Sequence, residues 1–469
     1  MWDLLKYENN TAIIDETGAA ASYGEVEEAG KALAAATGGR CLAASLCRNT
    51  IGSVVGYITF INNGIVPMML SAHLEKELLM KLLDTYAPKF VWVPTEQTEQ
   101  FAAWQPVFSY YDYSLLKTSY NREYPLHDEL ALLLTTSGST GSPKFVRQSY
   151  KNVASNAESI VQYLKLDAAE RPITTLPMNY TYGLSIINSH LSVGATLLLT
   201  EKGLMQKEFW DFFKEQKATS FGGVPYTYEM LERLRFFRME LPSLRYSTQA
   251  GGKLTPELHR KFAEYAREKG TGFIVMYGQC EATARMGYLP AEKALEKCGS
   301  MGVAIPGGKF HLTDADGQEV RSPHVTGELV YEGANVTLGY AECGEDLIKG
   351  DERGGVLQTG DMAQFDEDGY YYIVGRKKRF LKIYGNRVNL DEIDRLIKAQ
   401  FDNIDCASGG VDDHMYLFVT DDAIAEEVKS FAAAKTGLNP AAFKTVVVDE
   451  IPKNDAGKTL YRELEKYYQ

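Results

Sequence analysis

The sequence predicts an α/β protein with a large, multi-sheet N-terminal domain that includes an antiparallel β section, followed by a small C-terminal α+β domain on a hinge. Three observations predict it. Short apolar runs alternate with segments of helical spacing through most of the first 300 or so residues, the pattern of a parallel sheet covered by helices. Beyond that point the runs shorten and Asp-Gly pairs punctuate them, as in antiparallel hairpins. After "GRKKRFLK" a compact helix–strand–helix–strand pattern appears. The length, 469 residues, exceeds what one hydrophobic core organises.

The elements follow in order. "IGSVVGYITFINNGIVPMML" (51–70) is apolar but broken by Asn62, Asn63 and Pro67, so it reads as a buried helix and turn, not a membrane span. "ELALLLTT" (129–136) ends at glycine and fits a buried strand, and "KNVASNAESIVQYLKL" after it has helical spacing. "ATLLLT" (195–200) is a strand and "QKEFWDFFKEQKA" a helix. "LRYSTQ" (244–249) is a strand leading into Gly251-Gly252. The helix in 255–270 has Thr255 as N-cap, Pro256 at its first position and Gly270 as its stop. "FIVM" (273–276) is a fourth strand. Glycine turns at 138–141, 251–252 and 278 fall at strand ends, where α/β sheets place their ligands. "KFHLTDADGQEV", "GELVYEGANVTLGY" and "MAQFDEDGYYYIVGR" read as short, mainly antiparallel strands. Helices "LDEIDRLIKAQ" and "IAEEVKSFAAAK" alternate with strands "HMYLFVT" and "KTVVVD" to form the last module. The expected domains are 1–377 and 378–469.

Composition excludes several classes. A net charge of −13 makes a poor nucleic-acid binder, because phosphates need lysine and arginine. The six cysteines form no C-x-x-C pair, and the seven histidines are dispersed, so neither a disulfide framework nor a histidine metal cluster is expected. A reducing, cytoplasmic setting follows. "MWDLLKYENN" lacks the charged and apolar regions of a signal peptide.

"TTSGSTGSPK" (135–144) combines backbone N–H groups, hydroxyls and a lysine, which suits phosphate. It is not the G-x-x-x-x-G-K-[ST] loop: Pro143 stands at the second glycine position and Phe145 follows Lys144. Four further stretches accompany it: "YGQCEAT" (277–283), "QTGDM" (358–362) with Asp361 in a turn, "GRKKRFLKIYGNRV" (375–388) and "IPKNDAGKTLYREL" (451–464). In this order and spacing the five stretches resemble the adenylate-forming superfamily of acyl- and aryl-CoA synthetases, luciferases and peptide-synthetase adenylation domains. The resemblance runs from about residue 130 to the C-terminus and is weaker before it, where "MKLLDTYAPKFVW" matches but a proline-rich lead-in is lacking.

The resemblance implies roles for particular positions. Thr136, Ser137, Gly138, Ser139, Thr140, Gly141 and Lys144 would hold the β- and γ-phosphates of ATP. Gly251 and Gly252 would lie against one face of adenine, with Tyr277 and Gly278 at the other. Glu281 would ligate Mg2+, a cation that prefers oxygen. Asp361 would bind the ribose hydroxyls, Arg376 ribose or phosphate, and Ile373 would pack nearby. Lys458 would touch the substrate carboxylate and the α-phosphate, and Lys378 would be the hinge. Asn179, Tyr180, Gly183, Gly223 and Tyr228 would shape the acid pocket, with Gly222 and Gly223 leaving room.

Two departures stand out. Cys280 replaces the usual threonine before the glutamate and hydrogen-bonds more weakly. Residues 176–185 hold no aspartate to pair with an α-ammonium, which argues for an aryl or acyl acid over an α-amino acid. The implied reaction is attack of a carboxylate on the α-phosphorus of ATP with loss of pyrophosphate, then acyl transfer to a thiol. The thiol would be CoA or the phosphopantetheine of a separate acyl carrier protein, since the eleven residues after Lys458 contain no serine. Compact length and the trimmed lead-in favour the carrier-loading type. A nucleotide-binding relative that has lost ligase activity is the alternative.

Overall fold

The structure is a computed structural model. It describes the chain apart from residues 136–143, 385, 402–403, 454–458 and 469, and apart from the side chains of Lys378, Phe380, Lys382, Asn386 and Arg387. The chain divides into two compact units: residues 1–309 with 331–357, and residues 310–330 with 358–469. This division leaves the expected hinge, Lys378, inside the second unit.

Two large sheets build the first unit. One, of nine strands, runs in the order Val303–Ala304, Gly287–Tyr288, Gly272–Tyr277, Tyr246–Gln249, Ser220–Gly223, Pro172–Ile173, Leu197–Leu199, Thr11–Asp15 and Ala20–Ser22. Its central pairs are parallel, with Ser220 opposite Tyr246 and Tyr246 opposite Gly272. The other, of eight strands, runs Gly339–Ala341, Phe145–Ser149, Leu130–Thr135, Val66–Ser71, Leu42–Cys47, Phe90–Pro94, Tyr113–Lys117 and Gln105–Tyr110. Helix Ile51–Asn62 is buried along nearly its whole length. It shares one core with Ile13 and Leu197 of the first sheet and with Met69, Leu132 and Leu134 of the second. Each such side chain contributes about 1.5–3 kcal/mol by leaving water.

The expected elements appear where the local signals put them. Helix Pro256–Lys269 has Thr255 as its N-cap, accepting from the Leu258 N–H, and ends at Gly270 with φ +69°. Residues 66–71, expected as a turn, instead form a strand. Pro67 is tolerated because at that level the strand has Ala43 as its partner, while pairing to Leu133 begins only at Met68. The stretch 327–340 is not one hairpin region. Gly327–Gly333 joins a five-stranded sheet, whereas Gly339–Ala341 pairs antiparallel with Phe145–Arg147 of the eight-stranded one.

In the second unit the five-stranded sheet runs Glu319–Val320, Gly308–Thr313, Gly327–Gly333, Val356–Phe365 and Tyr371–Arg376, the strands being continuous with the first unit's chain where the ranges overlap it. Its outer pairs are antiparallel, as the Asp-Gly turns imply. A hairpin, Phe380–Ile383 with Asn386–Asn389, precedes the last module. That module packs helices Leu390–Gln400 and Ala425–Thr436 on strands Cys406–Val411, His414–Val419 and Phe443–Val447. The α/β class with antiparallel and α+β sections is thus borne out.

Candidate active site

The first unit gathers its chemistry at the end of strand Gly272–Tyr277. Gly278 follows directly, and a Cβ there would stand 1.6 Å from the Ala284 carbonyl oxygen, so no other residue fits. The chain then makes a single 3-10 turn, Cys280–Ala282, and Thr283 adopts φ +66° and ψ −45°. The Ala284 N–H donates to the Ala282 carbonyl at 2.7 Å, closing a three-residue turn around Thr283. Strain of this kind, about 1–3 kcal/mol, persists only where neighbours over-determine the backbone. They do so here. The Thr283 hydroxyl donates to the Asn335 carbonyl at 2.7 Å, and Asn335 Nδ2 donates to the Ala282 and Arg285 carbonyls at 2.9 and 3.1 Å. The Thr337 N–H and hydroxyl both reach the Glu281 carbonyl, at 3.0 and 2.9 Å.

The Glu281 side chain is held as firmly. The Tyr340 hydroxyl donates to Glu281 Oε1 at 2.8 Å. Burial, with the Glu281 carboxylate beside it, pushes the Tyr340 phenol up to about 12, so it remains a donor throughout the physiological range. Lys144 Nζ stands 3.6 Å from the Tyr340 ring centroid and 3.5 Å from Glu342 Oε1, and the Arg353 guanidinium lies 4.8 Å from the same ring. Arg147 Nε donates to the Tyr340 backbone carbonyl at 3.0 Å. Two residues predicted from separate motifs, Lys144 and Glu281, thus meet through Tyr340. Sequence reasoning missed Tyr340, because "VTLGY" read as one more short strand. The informative contact, between residues 145–147 and 339–341, is almost 200 positions apart and leaves no local signal.

A second group surrounds the Gly251 turn. Gly251 has φ +84°, and a Cβ there would meet the Tyr180 hydroxyl at 2.8 Å and Val224 Cγ1 at 3.0 Å. At Gly252 a Cβ would meet Pro225 Cγ at 2.9 Å. The predicted adenine-side glycines and the predicted acid-side Tyr180 are therefore neighbours. Tyr180 is N-cap to helix Thr181–Leu191, and its ring stands 6.3 Å from that of Tyr182 in an edge-on arrangement. Burial pushes the Tyr180 phenol up to about 12. Asn179 lies in the turn just before, half-buried. Tyr277 ends its strand half-buried, with Gln279 Nε2 at 3.3 Å from its hydroxyl.

Two expectations for the acid pocket, the room at Gly222 and Gly223 and the orientation of Tyr228, need correction. A Cβ on Gly222 would strike Ile186 and Tyr182, and one on Gly223 would strike Thr227 and Tyr228, so these glycines admit their own neighbours and leave no open room. Tyr228 is a core residue: it is fully buried, its hydroxyl donates to the Thr248 carbonyl at 2.7 Å, and its ring packs edge-on against Phe262 and Phe273. Gly183 is needed for close packing, since a Cβ would stand 2.4 Å from the Pro177 carbonyl.

The second unit carries Asp361, Ile373 and Arg376. Asp361 is within a strand, not a turn, although Gly360 at φ +70° and a bulge after Met362 bend the strand there. It pairs in register with Arg376, whose Nε is 3.1 Å from its carboxylate. Asp361 is buried, and Ile373 faces Ala363 two rungs on. Lys378 follows in the turn 377–379. Thr136, Ser137, Gly138, Ser139, Thr140, Gly141 and Lys458 lie outside the described residues.

No group of three or more His, Cys, Asp or Glu side chains that could hold a metal occurs among the described residues. Glu281 offers a carboxylate, with Oε1 engaged by Tyr340. That fits a cation that takes one or two carboxylates and fills its remaining positions with phosphate oxygens and water.

Comparisons with known proteins bear on the whole arrangement. The family described as AMP-binding enzyme matches residues 2–341. Oxalate–CoA ligase of Arabidopsis thaliana is 29% identical over 355 residues, 73% of this chain and 68% of that protein. Indoleacetate–CoA ligase of Aromatoleum aromaticum is 29% identical over 341 residues, 70% of this chain and 65% of that protein. Among solved structures, O-succinylbenzoate coenzyme A synthetase from Bacillus subtilis in complex with AMP superposes with a TM-score of 0.78 at 21% identity, covering 99% of this chain and 98% of that one. The likeness of fold runs through both units. The family match bears out the resemblance read from the five motifs.

Proposed function

This chain belongs to the AMP-binding enzyme family and is an acid–thiol ligase, and from that premise we propose the residues that perform the reaction, its acceptor and its class of acid. ATP activates a carboxylic acid to an acyl-adenylate with release of pyrophosphate, and the acyl group then passes to a thiol. The observation that carries the site assignment is the Glu281 turn, held by Asn335 and Thr337, with its carboxylate fixed by the Tyr340 hydroxyl at 2.8 Å beside Lys144.

Glu281 and Lys144 act on the polyphosphate. Mg2+ on Glu281 would supply neutralisation of charge developing at the phosphates. Lys144, now resting on the Tyr340 ring, gives its charge to the β- and γ-phosphates, joined by the loop 136–141. Gly251 and Gly252 take one face of adenine, which their missing side chains let approach the backbone, and Tyr277 takes the other. Asp361 accepts from the ribose hydroxyls, and Arg376, its cross-strand partner, binds ribose or phosphate. Lys458 brings the acid's carboxylate to the α-phosphorus. The acid is already ionised near neutral pH, so no general base is required.

Lys378 serves as the hinge about which the C-terminal portion, 378–469, exchanges Lys458 for an acceptor-facing surface. CoA is the acceptor, in keeping with the names of the relatives; a carrier-bound phosphopantetheine is the other thiol of the same chemistry. Asn179 and Tyr180 contact the acid, which is aryl or acyl and lacks an α-ammonium. Among the described residues no helix is long and apolar enough to cross a membrane. All six cysteines are unpaired, which supports a reducing, cytoplasmic setting. The test is acid-dependent exchange of labelled pyrophosphate into ATP across an acid panel, followed by thioester formation with CoA. Exchange without thioester on CoA would move the acceptor to a carrier protein. A chain that binds ATP but exchanges nothing would be the inactive relative.

A further inference from the structure

Arg285 lies four residues beyond Glu281 and is 2% exposed. Its Nε donates to the Ser185 hydroxyl at 3.0 Å, and its Nη1 to the Tyr163 hydroxyl at 2.9 Å with the Met276 sulfur at 3.2 Å. Its guanidinium faces the Tyr182 ring at 5.3 Å. Every partner is neutral. His190, in the same buried region, is neutral as well: its Nδ1 is 2.8 Å from the Ile186 carbonyl and its Nε2 3.2 Å from the Tyr246 hydroxyl. Among the described residues no carboxylate reaches Arg285, and Nη2 makes no hydrogen bond. Removing a full positive charge from water without a counter-charge costs several kcal/mol. Elsewhere in the protein this cost is offset: the guanidinium of the fully buried Arg147 meets Glu352. An uncompensated buried cation is stable most readily when a ligand supplies the missing charge.

Its position says which ligand. Tyr182, whose ring faces Arg285, stands edge-on to Tyr180 of the acid-side segment. The reacting carboxylate belongs at the Glu281 end, so a group reaching Arg285 is the far end of the acid. We propose that Arg285 is the specificity-determining residue of this ligase and that its guanidinium, through Nη2, receives a second carboxylate, so that the substrates are dicarboxylic acids. This rests on the ligase reading above and adds the class of acid to it.

Matched pairs of acids test it in pyrophosphate exchange: butanoate against succinate, pentanoate against glutarate, and 3-phenylpropanoate against its 2-carboxyphenyl analogue. The wild-type protein should favour the diacid of the best pair by roughly a hundredfold in kcat/KM, the scale of losing a buried charged partner. Arg285→Met should collapse that ratio by roughly tenfold or more, and Arg285→Lys should restore part of it. 3-Sulfopropanoate, in place of succinate, tells whether any anion serves or a carboxylate is required; rejection of both would count against the proposal. A preference for the monoacid in every pair, or an unchanged ratio in Arg285→Met, would overturn it while leaving the ligase reading intact. Exchange with no acid at all would bring down both. Should Arg285→Met fail to fold, thermal protection of the wild-type protein decides: a diacid that stabilises where its monoacid partner does not supports the proposal, and equal stabilisation overturns it.

Discussion

Arg285 in the first unit is buried and Arg379 in the second half-buried, and they are held in opposite ways. Arg379 sends Nε to Asp391 at 2.7 Å, Nη2 to Asp394 at 2.7 Å and Nη1 to the Ser408 carbonyl at 2.7 Å, with the Tyr461 ring 3.7 Å beneath it. Arg285 has hydroxyls, a sulfur and a ring for company, and no carboxylate among the described residues. In the first arrangement the cation is neutralised within the fold. The second is complete only when something anionic arrives. Charges matched inside the chain should govern stability, and charges left over should govern reaction.

The largest effect that can break this division is at Lys458, a charge assigned to the reaction. Lys458→Ala should lower acid-dependent pyrophosphate exchange by about 10²–10³-fold with an unaltered melting temperature. A variant that loses stability and exchange together would place Lys458 among the matched charges. Next is Asp394→Ala, which leaves Arg379 with Asp391 alone. Chemical denaturation should show a loss of about 3 kcal/mol, the lower end for a broken buried pair because one carboxylate remains, while exchange below the transition changes little. No loss of stability would mean that the Arg379 cluster is not structural.

A similar magnitude applies to pH. Burial, and to a lesser degree the charge of Arg285, push the His190 imidazole down from 6.5 to about 4. The unfolded chain therefore takes up a proton at this site that the folded chain refuses. Between about pH 6.5 and 4 this group should withdraw up to about 3 kcal/mol of stability as the pH falls, at about 1.4 kcal/mol per unit. His190→Gln should flatten the stability profile in that window alone; an identical slope would show that His190 protonates freely inside. The smallest effect is at Tyr340. Tyr340→Phe frees Glu281 Oε1 and should raise the Mg2+ concentration for half-maximal exchange roughly tenfold, equivalent to one charged hydrogen bond of about 1.5 kcal/mol. An unmoved Mg2+ requirement would make Tyr340 a packing residue only.

The same contrast explains what could be read from the amino acids. Signals carried by adjacent residues survived into the fold: Thr255, Pro256 and Gly270 bounded their helix, and the alternation of strand and helix gave the parallel sheet. A motif residue such as Gly278 is explained by local sterics. Pairings between distant segments were invisible. Tyr340 reaches Glu281 across 59 positions, and Arg285 meets Ser185 across 100. The pocket expectations for Gly223 and Tyr228 failed for a related reason: small residues beside aromatic ones suggested space, and the aromatic rings had already filled it.

The most direct measurement is of products. Incubated with ATP, Mg2+, CoA and the best acid of the panel, the protein should release AMP and pyrophosphate in equal amounts with one acyl-CoA formed per AMP. Release of ADP and phosphate, or AMP formed at the same rate without any acid, would contradict acid adenylation at the Glu281 turn.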